Sequence, residues 1–252
     1  MTSNQVLDSA APDASAAAAP ALEAHGITVR YGGVTAVDDV SLQLCRHEIT
    51  GLIGPNGAGK TTLIEVLSGF VVPRHGHVQL GSRKIDRLSP HRRARRGLGR
   101  VFQHLELFGE LTVRENLAVA YQWGVRERRI TPEAAAEALG LTPELDRRTV
   151  ELSQGRRKLV ALARAAVPGP EVILMDEPAA GLGPADTEAV AAYIRSLTDA
   201  GTSILLVDHD MSFVLPTCDR IVVLNFGAVI ATGTPEEIRR NPDVLAAYLG
   251  EP

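Results

Sequence analysis

The sequence predicts an α/β fold: a parallel sheet covered on both faces, an antiparallel β part ahead of it and a helical part inserted in the middle. Three observations predict it. Ile49-Thr50-Gly51-Leu52-Ile53, Val172-Ile173-Leu174-Met175 and Ile204-Leu205-Leu206-Val207 are nearly unbroken apolar runs that alternate with helical patterns, as strands buried on both faces do. Ahead of them, residues 22–29 and 40–44 alternate apolar with polar side chains, the pattern of half-buried antiparallel strands. Between the first and second apolar runs, residues 111–166 are helical in pattern.

Taken in order, Tyr31-Gly32-Gly33 supplies the turn between the two alternating strands. The strand at 49–53 runs into Gly54-Pro55-Asn56-Gly57-Ala58-Gly59-Lys60-Thr61, which satisfies GxxxxGK[ST] at every fixed position, and a helix follows from Thr62. Residues 77–80 and 99–102 read as further strands. The run between them holds Arg83, Lys84, Arg87, Arg92, Arg93, Arg95 and Arg96 without interleaved aromatics, so it reads as a solvated helix face or a face near anionic lipid, not a nucleic-acid surface. Thr112-Val113-Arg114-Glu115 is a capping box, Thr131-Pro132 opens an Ala-rich helix with proline at its first position, and a third helix follows Gly155. After the strand at 172–175 come a helix over 184–197, the strand at 204–207, and a hairpin pairing 221–224 with 229–231 over Asn225-Phe226-Gly227. Thr234-Pro235-Glu236-Glu237 caps a last helical stretch.

At 252 residues the chain can bury a sizeable core, and 45% hydrophobic with 22% charged residues is ordinary for a globular protein. A net charge of −4 gives no global field that would single out nucleic acid or membrane as partner. Cys45 and Cys218 lack CxxC spacing and read as buried thiols of a reducing compartment, neither a disulfide nor a metal site. Residues 1–20, rich in Ala with Ser, Asp and Pro, read as a disordered leader, and no apolar run approaches the ~20 residues of a membrane span.

The glycine-rich loop lets successive N–H groups turn inward around a phosphate, and the helix behind it adds its positive end. Gly54, Pro55, Asn56, Gly57, Ala58, Gly59, Lys60, Thr61 and Thr62 are therefore the expected nucleoside-triphosphate cradle. Lys60 would reach the β- and γ-phosphates and Thr61 would put its hydroxyl on Mg²⁺. Asp176-Glu177, at the carboxyl end of a buried strand, stands where such sheets bind ligands. Asp176 would hold Mg²⁺ through its water shell, and Glu177 would act as general base toward the attacking water.

With these residues in place, the chain resembles the ATP-binding subunits of ATP-binding cassette (ABC) transporters over about residues 22–250. Leu152-Ser153-Gln154-Gly155-Arg156 looks like the signature motif, Gln103 matches the Q-loop glutamine, His209 the switch histidine, and Tyr31 the aromatic that stacks on adenine. Ala180-Gly181-Leu182-Gly183 occupies the D-loop place. The resemblance implies an ABC ATPase domain over 21–252 with a helical subdomain at about 104–167, ATP and Mg²⁺ as cofactors, and Gln103 both on Mg²⁺ and positioning the water. It further implies that His209 donates to the γ-phosphate and that Ser153 and Gly155 cover the phosphate of a second subunit in a head-to-tail dimer. Three positions depart from the commonest family pattern: Gln154 stands where glycine is usual, Arg156 where glutamine is, and Gly183 where Asp or Asn is.

Tyr31-Gly32-Gly33-Val34-Thr35-Ala36-Val37, Gly99-Arg100-Val101-Phe102-Gln103-His104, Asp208-His209-Asp210-Met211 and the tail from Gly233 narrow the resemblance to ATPases of branched-chain amino acid, urea or amide importers. Lipopolysaccharide-export and soluble non-transport ABC ATPases are the alternatives. The partners implied are membrane permease subunits, a second ATP-binding subunit and, through the complex, a solute-binding protein, with no nucleic acid. The place implied is the cytoplasmic side of the cell membrane. His104-Leu105-Glu106-Leu107-Phe108-Gly109 reads as a loop whose apolar residues either meet the permease or fold back onto the helical part, the first reading being favoured.

Overall fold

The computed structural model describes residues 20–102, 106–124 and 126–249. Its main sheet is built from β3 (Ile49–Ile53), β6 (Leu98–Val101), β7 (Val172–Asp176), β8 (Ser203–Val207), β9 (Arg220–Asn225) and β10 (Ala228–Gly233) in the order β10-β9-β3-β8-β7-β6. All neighbours are parallel except β9 and β10, the expected hairpin. Successive side chains of a strand point to opposite faces, and here both faces are buried. Ile173, Met175, Ile204, Leu206, Ile221 and Val223 enter one core with the helical part, and Val172, Leu174, Leu205, Val207, Val222 and Leu224 enter the other.

The second core lies under an antiparallel sheet ordered β2-β1-β4-β5, from β1 (Leu22–Tyr31), β2 (Val34–Leu44), β4 (His75–Leu80) and β5 (Arg83–Lys84). Helix α1 (Lys60–Ser68) contributes Leu63, Ile64, Val66 and Leu67 to this core, so the phosphate loop is clamped between two sheets. The first core is covered by α3 (Val113–Tyr121), α5 (Gln154–Ala166), α6 (Pro184–Asp199) and α7 (Met211–Thr217). Smaller pieces complete the chain: α2 (Pro90–Ala94), α4 (Pro132–Ala138), α8 (Pro235–Arg240) and α9 (Pro242–Leu249).

The capping boxes at Thr112/Glu115 and Thr234/Glu237 form as expected, and Thr131 caps α4 with Pro132 at its start. Helix α5 starts one residue before Gly155, because Ser153 accepts the N–H of Arg156 and so becomes the N-cap. Helix α7 has no counterpart in the sequence reading; it is short and contains Pro216.

Two expectations need correction. Cys218 is buried and its thiol is pushed up to about 12 by burial, but Cys45 is exposed. Leu42 and Leu44 face the core, so strand alternation turns Cys45 outward. The basic run is not uniformly solvated either, since Arg93 is only 1% exposed. Its guanidinium donates to the carbonyls of Leu88, Val66, Leu67 and Asp86 at 3.0, 2.8, 2.7 and 3.1 Å. Val66 and Leu67 end α1, whose own last turn holds no base, so Arg93 supplies the cation that the helix C-terminus favours.

Candidate active site

Strand β3 delivers the chain to Gly54 at the carboxyl edge of the main sheet, and the loop then turns back into α1. The turn is possible only because its glycines carry no side chain. A Cβ on Gly54 would stand 2.1 Å from the Leu224 carbonyl oxygen, and one on Gly59 would stand 2.5 Å from that of Ala36. Backbone hydrogen bonds stitch the loop to both sheets: Gly227 N–H donates to Ala58 at 3.1 Å and Asp38 N–H to Gly227 at 2.8 Å. Gly59 is the N-cap of α1 and supplies no side-chain acceptor, leaving the first N–H groups of the helix for a ligand. That is the donor set a phosphate requires.

Lys60 donates to the carbonyls of Gly54 and Pro55 at 2.6 and 2.9 Å, which holds its ammonium over the loop. Burial lowers its pKa, while the charges of Glu177 and Asp176 work against that. Thr61 and Thr62 follow on the first turn of α1, Thr61 exposed and Thr62 half-buried.

Asp176 ends β7, nearly buried. Burial raises its pKa, opposed first by Arg100 and then by Lys60. Its buried carboxylate at the strand end offers the hard oxygen ligand that a divalent ion takes. Glu177 follows at φ 48, an uncommon conformation for a residue with a side chain, and is fixed by its N–H bond to Val207 at 2.8 Å. The result is that Glu177 Oε1 lies 2.9 Å from His209 Nδ1, across the ends of the adjacent strands β7 and β8. His209 is set in turn by Asp208, a buried carboxylate that accepts the N–H groups of His209 and Asp210 at 2.8 and 3.0 Å.

The fold thus brings together Gly54 to Thr62, Asp176, Glu177 and His209. It does not bring Ser153 and Gly155 to the same place. A Cβ on Gly155 would meet only Leu182, at 3.3 Å, and Asp186, at 4.0 Å, within that range. Tyr31 stands at the tip of the β1–β2 hairpin, 51% exposed. Gln103, with His104 and Leu105, lies outside the described residues.

Three features escaped the sequence reading. Tyr248 of α9 takes a backbone hydrogen bond from Gly54, and a cavity of about 730 Å³ separates residues 55–58 from Asp243, Ala246 and Ala247. Arg100 donates to Ser68 at 2.7 Å and lies over the rings of Phe70 and Phe102 at 5.3 and 4.7 Å. It thereby joins Asp176 to a groove of about 390 Å³ lined by Phe70, Phe102, Phe108 and Arg164. Asn116, fully buried, holds the edge of that groove, accepting the Phe108 N–H at 2.9 Å and donating to the Phe108 and Thr112 carbonyls at 3.0 and 2.9 Å. The loop splits: Leu107 packs onto the helical core while Phe108 stays half exposed beneath Arg164. A polar residue on a helix gives no hint in sequence that it will staple a loop.

Comparison with known proteins agrees with this geometry. Residues 37–180 match the family described as ABC transporter, and residues 228–252 match one described as branched-chain amino acid ATP-binding cassette transporter. The chain is 43% identical over 251 residues to LivG of Salmonella typhimurium, a high-affinity branched-chain amino acid transport ATP-binding protein, covering 92% of this chain and 98% of that one. BraF of Pseudomonas aeruginosa, of the same description, is 40% identical with the same coverage. The lipopolysaccharide export system ATP-binding protein LptB of Haemophilus influenzae is 36% identical over 234 residues, covering 91% of this chain and 97% of that one. Among solved structures, the ADP conformation of MJ1267, an ATP-binding cassette of an ABC transporter, superposes with a TM-score of 0.81 at 30% identity, covering 92% of this chain and 99% of that one. A nucleotide-free cassette superposes with the same score at 31% identity, covering 92% and 100%.

Proposed function

Because the chain belongs to the ABC transporter family of ATP-binding subunits, we propose that it energises a membrane importer of branched-chain amino acids or related small solutes. Binding of ATP with Mg²⁺ and hydrolysis of ATP go with family membership. The importer reading is supported by the tail match at 228–252 and by relatives at 40 and 43% identity, against 36% for the lipopolysaccharide-export protein. In this reading residues 21–252 are one ATP-binding domain, with 104–167 as its helical subdomain.

The pair Glu177–His209 carries the mechanistic reading. Hydrolysis of a phosphoric anhydride needs charge neutralised at the γ-phosphate and a water held in line. Lys60 and the free N–H groups of α1 take the phosphate charge. Glu177, kept rigid by its backbone bond to β8, receives the proton of the attacking water. His209, oriented by Asp208, gives a hydrogen bond to the γ-phosphate. Thr61, Asp176 and Gln103 would hold Mg²⁺, which would supply further charge neutralisation at the phosphates. Tyr31 stacks on adenine from the hairpin tip, an exposed position open to a flat ring. Ser153 and Gly155, where a Cβ on Gly155 would meet Leu182 and Asp186 and no residue of the phosphate loop, serve the ATP of a second subunit, packed head to tail.

Among the described residues no helix is long and apolar enough to cross a membrane. As an ABC ATP-binding subunit it is read as working peripherally, on the cytoplasmic face, and as reaching its permease through the groove beside Phe108. A solute-binding protein acts through the same complex.

Glu177→Gln tests the assignment. ATP affinity is expected to hold while turnover falls by about 10²–10⁴-fold, the usual cost of losing a general base. ATP is then expected to trap a dimer visible by size exclusion. Hydrolysis at the parent rate would remove Glu177 from this role.

A further inference from the structure

The basic run from Arg83 to Arg96 does not act as one helix face, because its residues diverge. Arg93 turns inward, Arg95 lies over the Trp123 ring at 5.8 Å, and Arg83 and Arg96 turn to the amino edge of the main sheet. There they meet Arg46 around a hollow of about 200 Å³ lined also by Gly81, Ser82 and Glu171. Arg46, Arg96 and Glu171 stand three, two and one residues ahead of β3, β6 and β7. The proposed ATP site lies at the opposite ends of these strands. Strands β3 and β7 are five residues long, so the two places are roughly 15 Å apart.

Backbone holds the rim of this hollow. Glu171 N–H donates to the Gly97 carbonyl at 2.8 Å, Ser203 N–H to the Glu171 carbonyl at 2.9 Å, and His47 N–H to the Ser203 hydroxyl at 2.9 Å. The turns ahead of β3, β6, β7 and β8 are thereby strung together. Gly81 N–H donates to the Ala21 carbonyl at 2.9 Å, which ties down the β4–β5 turn. Gly81 has φ 54, and a Cβ on it would stand 3.5 Å from Arg46 Nη2, so that guanidinium lies over the turn. Arg96 N–H donates to the carbonyl of the buried Arg93 at 2.9 Å. Among the described residues neither Arg83 nor Arg96 is paired with a carboxylate. Arg128 Nη1 stands 3.8 Å from Glu171 Oε1, beyond hydrogen-bonding reach.

We propose that this hollow is a second anion site, separate from the ATP site, and that its ligand is inorganic phosphate bound as the hydrogen phosphate dianion. Three guanidiniums against one carboxylate leave two positive charges in excess, which matches the dianion. Guanidinium forks suit a tetrahedral oxyanion, to which each gives two parallel N–H bonds, and the Ser82 hydroxyl adds a donor. Glu171 supplies the selectivity. A carboxylate only accepts, so the anion oxygen that meets it must carry a proton. Hydrogen phosphate has such an oxygen at neutral pH. Sulfate and phosphodiesters, lipid headgroups among them, have none and would set a bare charged oxygen against the carboxylate.

The test is isothermal titration of the full-length subunit at neutral pH and fixed ionic strength, with the phosphate loop first filled by Mg²⁺ and a non-hydrolysable ATP analogue. Inorganic phosphate is expected to saturate one site per chain. Sulfate is expected to bind at least about tenfold more weakly, because a charge-assisted hydrogen bond gives way to a repulsion. R83M and R96M are each expected to weaken phosphate at least about tenfold. R87M and R92M, exposed in the same run but outside the hollow, are expected to leave it within about twofold. E171Q is expected to bring sulfate within about threefold of phosphate, since the repulsive element is gone. Melting curves without phosphate check each fold; should R83M or R96M fail to fold, the phosphate–sulfate comparison in the parent and E171Q decides alone. Absence of saturable phosphate binding overturns the proposal, as does sulfate binding as tightly as phosphate in the parent. Equal losses in R87M and R92M would mean a diffuse basic face and overturn it too. So would capture by phosphatidylglycerol vesicles that R83M and R96M abolish and free phosphate does not displace, which would give these arginines to lipid headgroups.

Discussion

At the carboxyl edge of the main sheet the site is set by backbone. Glycines approach carbonyls where no side chain fits, Gly227 and Ala58 are stitched by main-chain bonds, and Glu177 is aimed by its N–H bond to Val207. At the other end of the subunit, around α3 to α5, placement is by side chains. Arg114 reaches Glu133 and Asp146 at 2.7 and 3.0 Å, Arg148 reaches Glu110 and Glu151 at 3.3 and 3.2 Å, and Arg156 reaches Glu144. A phosphate needs donors fixed before it arrives, which buried strands and tight turns supply. A region that must follow a partner is better held by ion pairs that water can loosen. Substitutions at the two ends should therefore differ in size and in kind.

The largest effect is expected from Gly54→Ala. The added Cβ would stand 2.1 Å from the Leu224 carbonyl oxygen and 3.1 Å from the Ala58 Cβ. The first of these neighbours is backbone of β9, itself paired to β3 and β10, so it cannot move without disturbing the sheet. Loss of fluorescent-nucleotide binding and a lowered melting temperature are expected together. Binding near the parent affinity would show that the backbone frame is softer than its packing implies.

The same contrast explains what could be read in the sequence. Strands buried on both faces announce themselves as apolar runs, and the phosphate loop announces itself because only glycine fits its turns; β3, β7, β8 and residues 54–61 were legible for that reason. Capping boxes were legible because Thr112/Glu115 and Thr234/Glu237 are local. Asn116, Arg100 and Tyr248 were not, because each acts on a segment remote in sequence or through a backbone group with no compositional trace. Arg93 was misread for the same reason: five other arginines of its run, Arg83, Arg87, Arg92, Arg95 and Arg96, are exposed or only partly buried, and composition cannot tell which one turns inward.

Arg93→Met is expected to act next in size. It removes four donated hydrogen bonds from carbonyls at the end of α1 and in the segment ahead of α2. A buried acceptor left bare costs about 1–3 kcal/mol, and since Val66 keeps a bond from Gly69 N–H the sum is expected near about 2–4 kcal/mol. That corresponds to a fall of roughly 5–15 °C in melting temperature for a domain of this size. Arg93 touches no proposed site residue, so kcat per folded molecule is expected to hold. A stable variant would mean that water replaces the guanidinium.

The smallest effect is expected from Arg114→Met, although on paper Arg114 makes the better ion pairs. It reaches two carboxylates at 2.7 and 3.0 Å from α3 to the start of α4 and to Asp146. Hydrogen bonds and charges of Asp146 and then Glu133 raise its pKa, so it stays charged throughout the accessible pH range. Yet all three side chains are exposed, and a pair in water gains little over the hydration it gives up while fixing two long side chains. Its thermal unfolding is expected to lie close to the parent's, with the difference shrinking further as salt is raised. Melting curves of Arg114→Met and Arg93→Met, recorded side by side at low and high salt, give the comparison directly. Equal losses, or a large salt-dependent loss in Arg114→Met, would show that the helical end draws its stability from the same buried contacts as the nucleotide end.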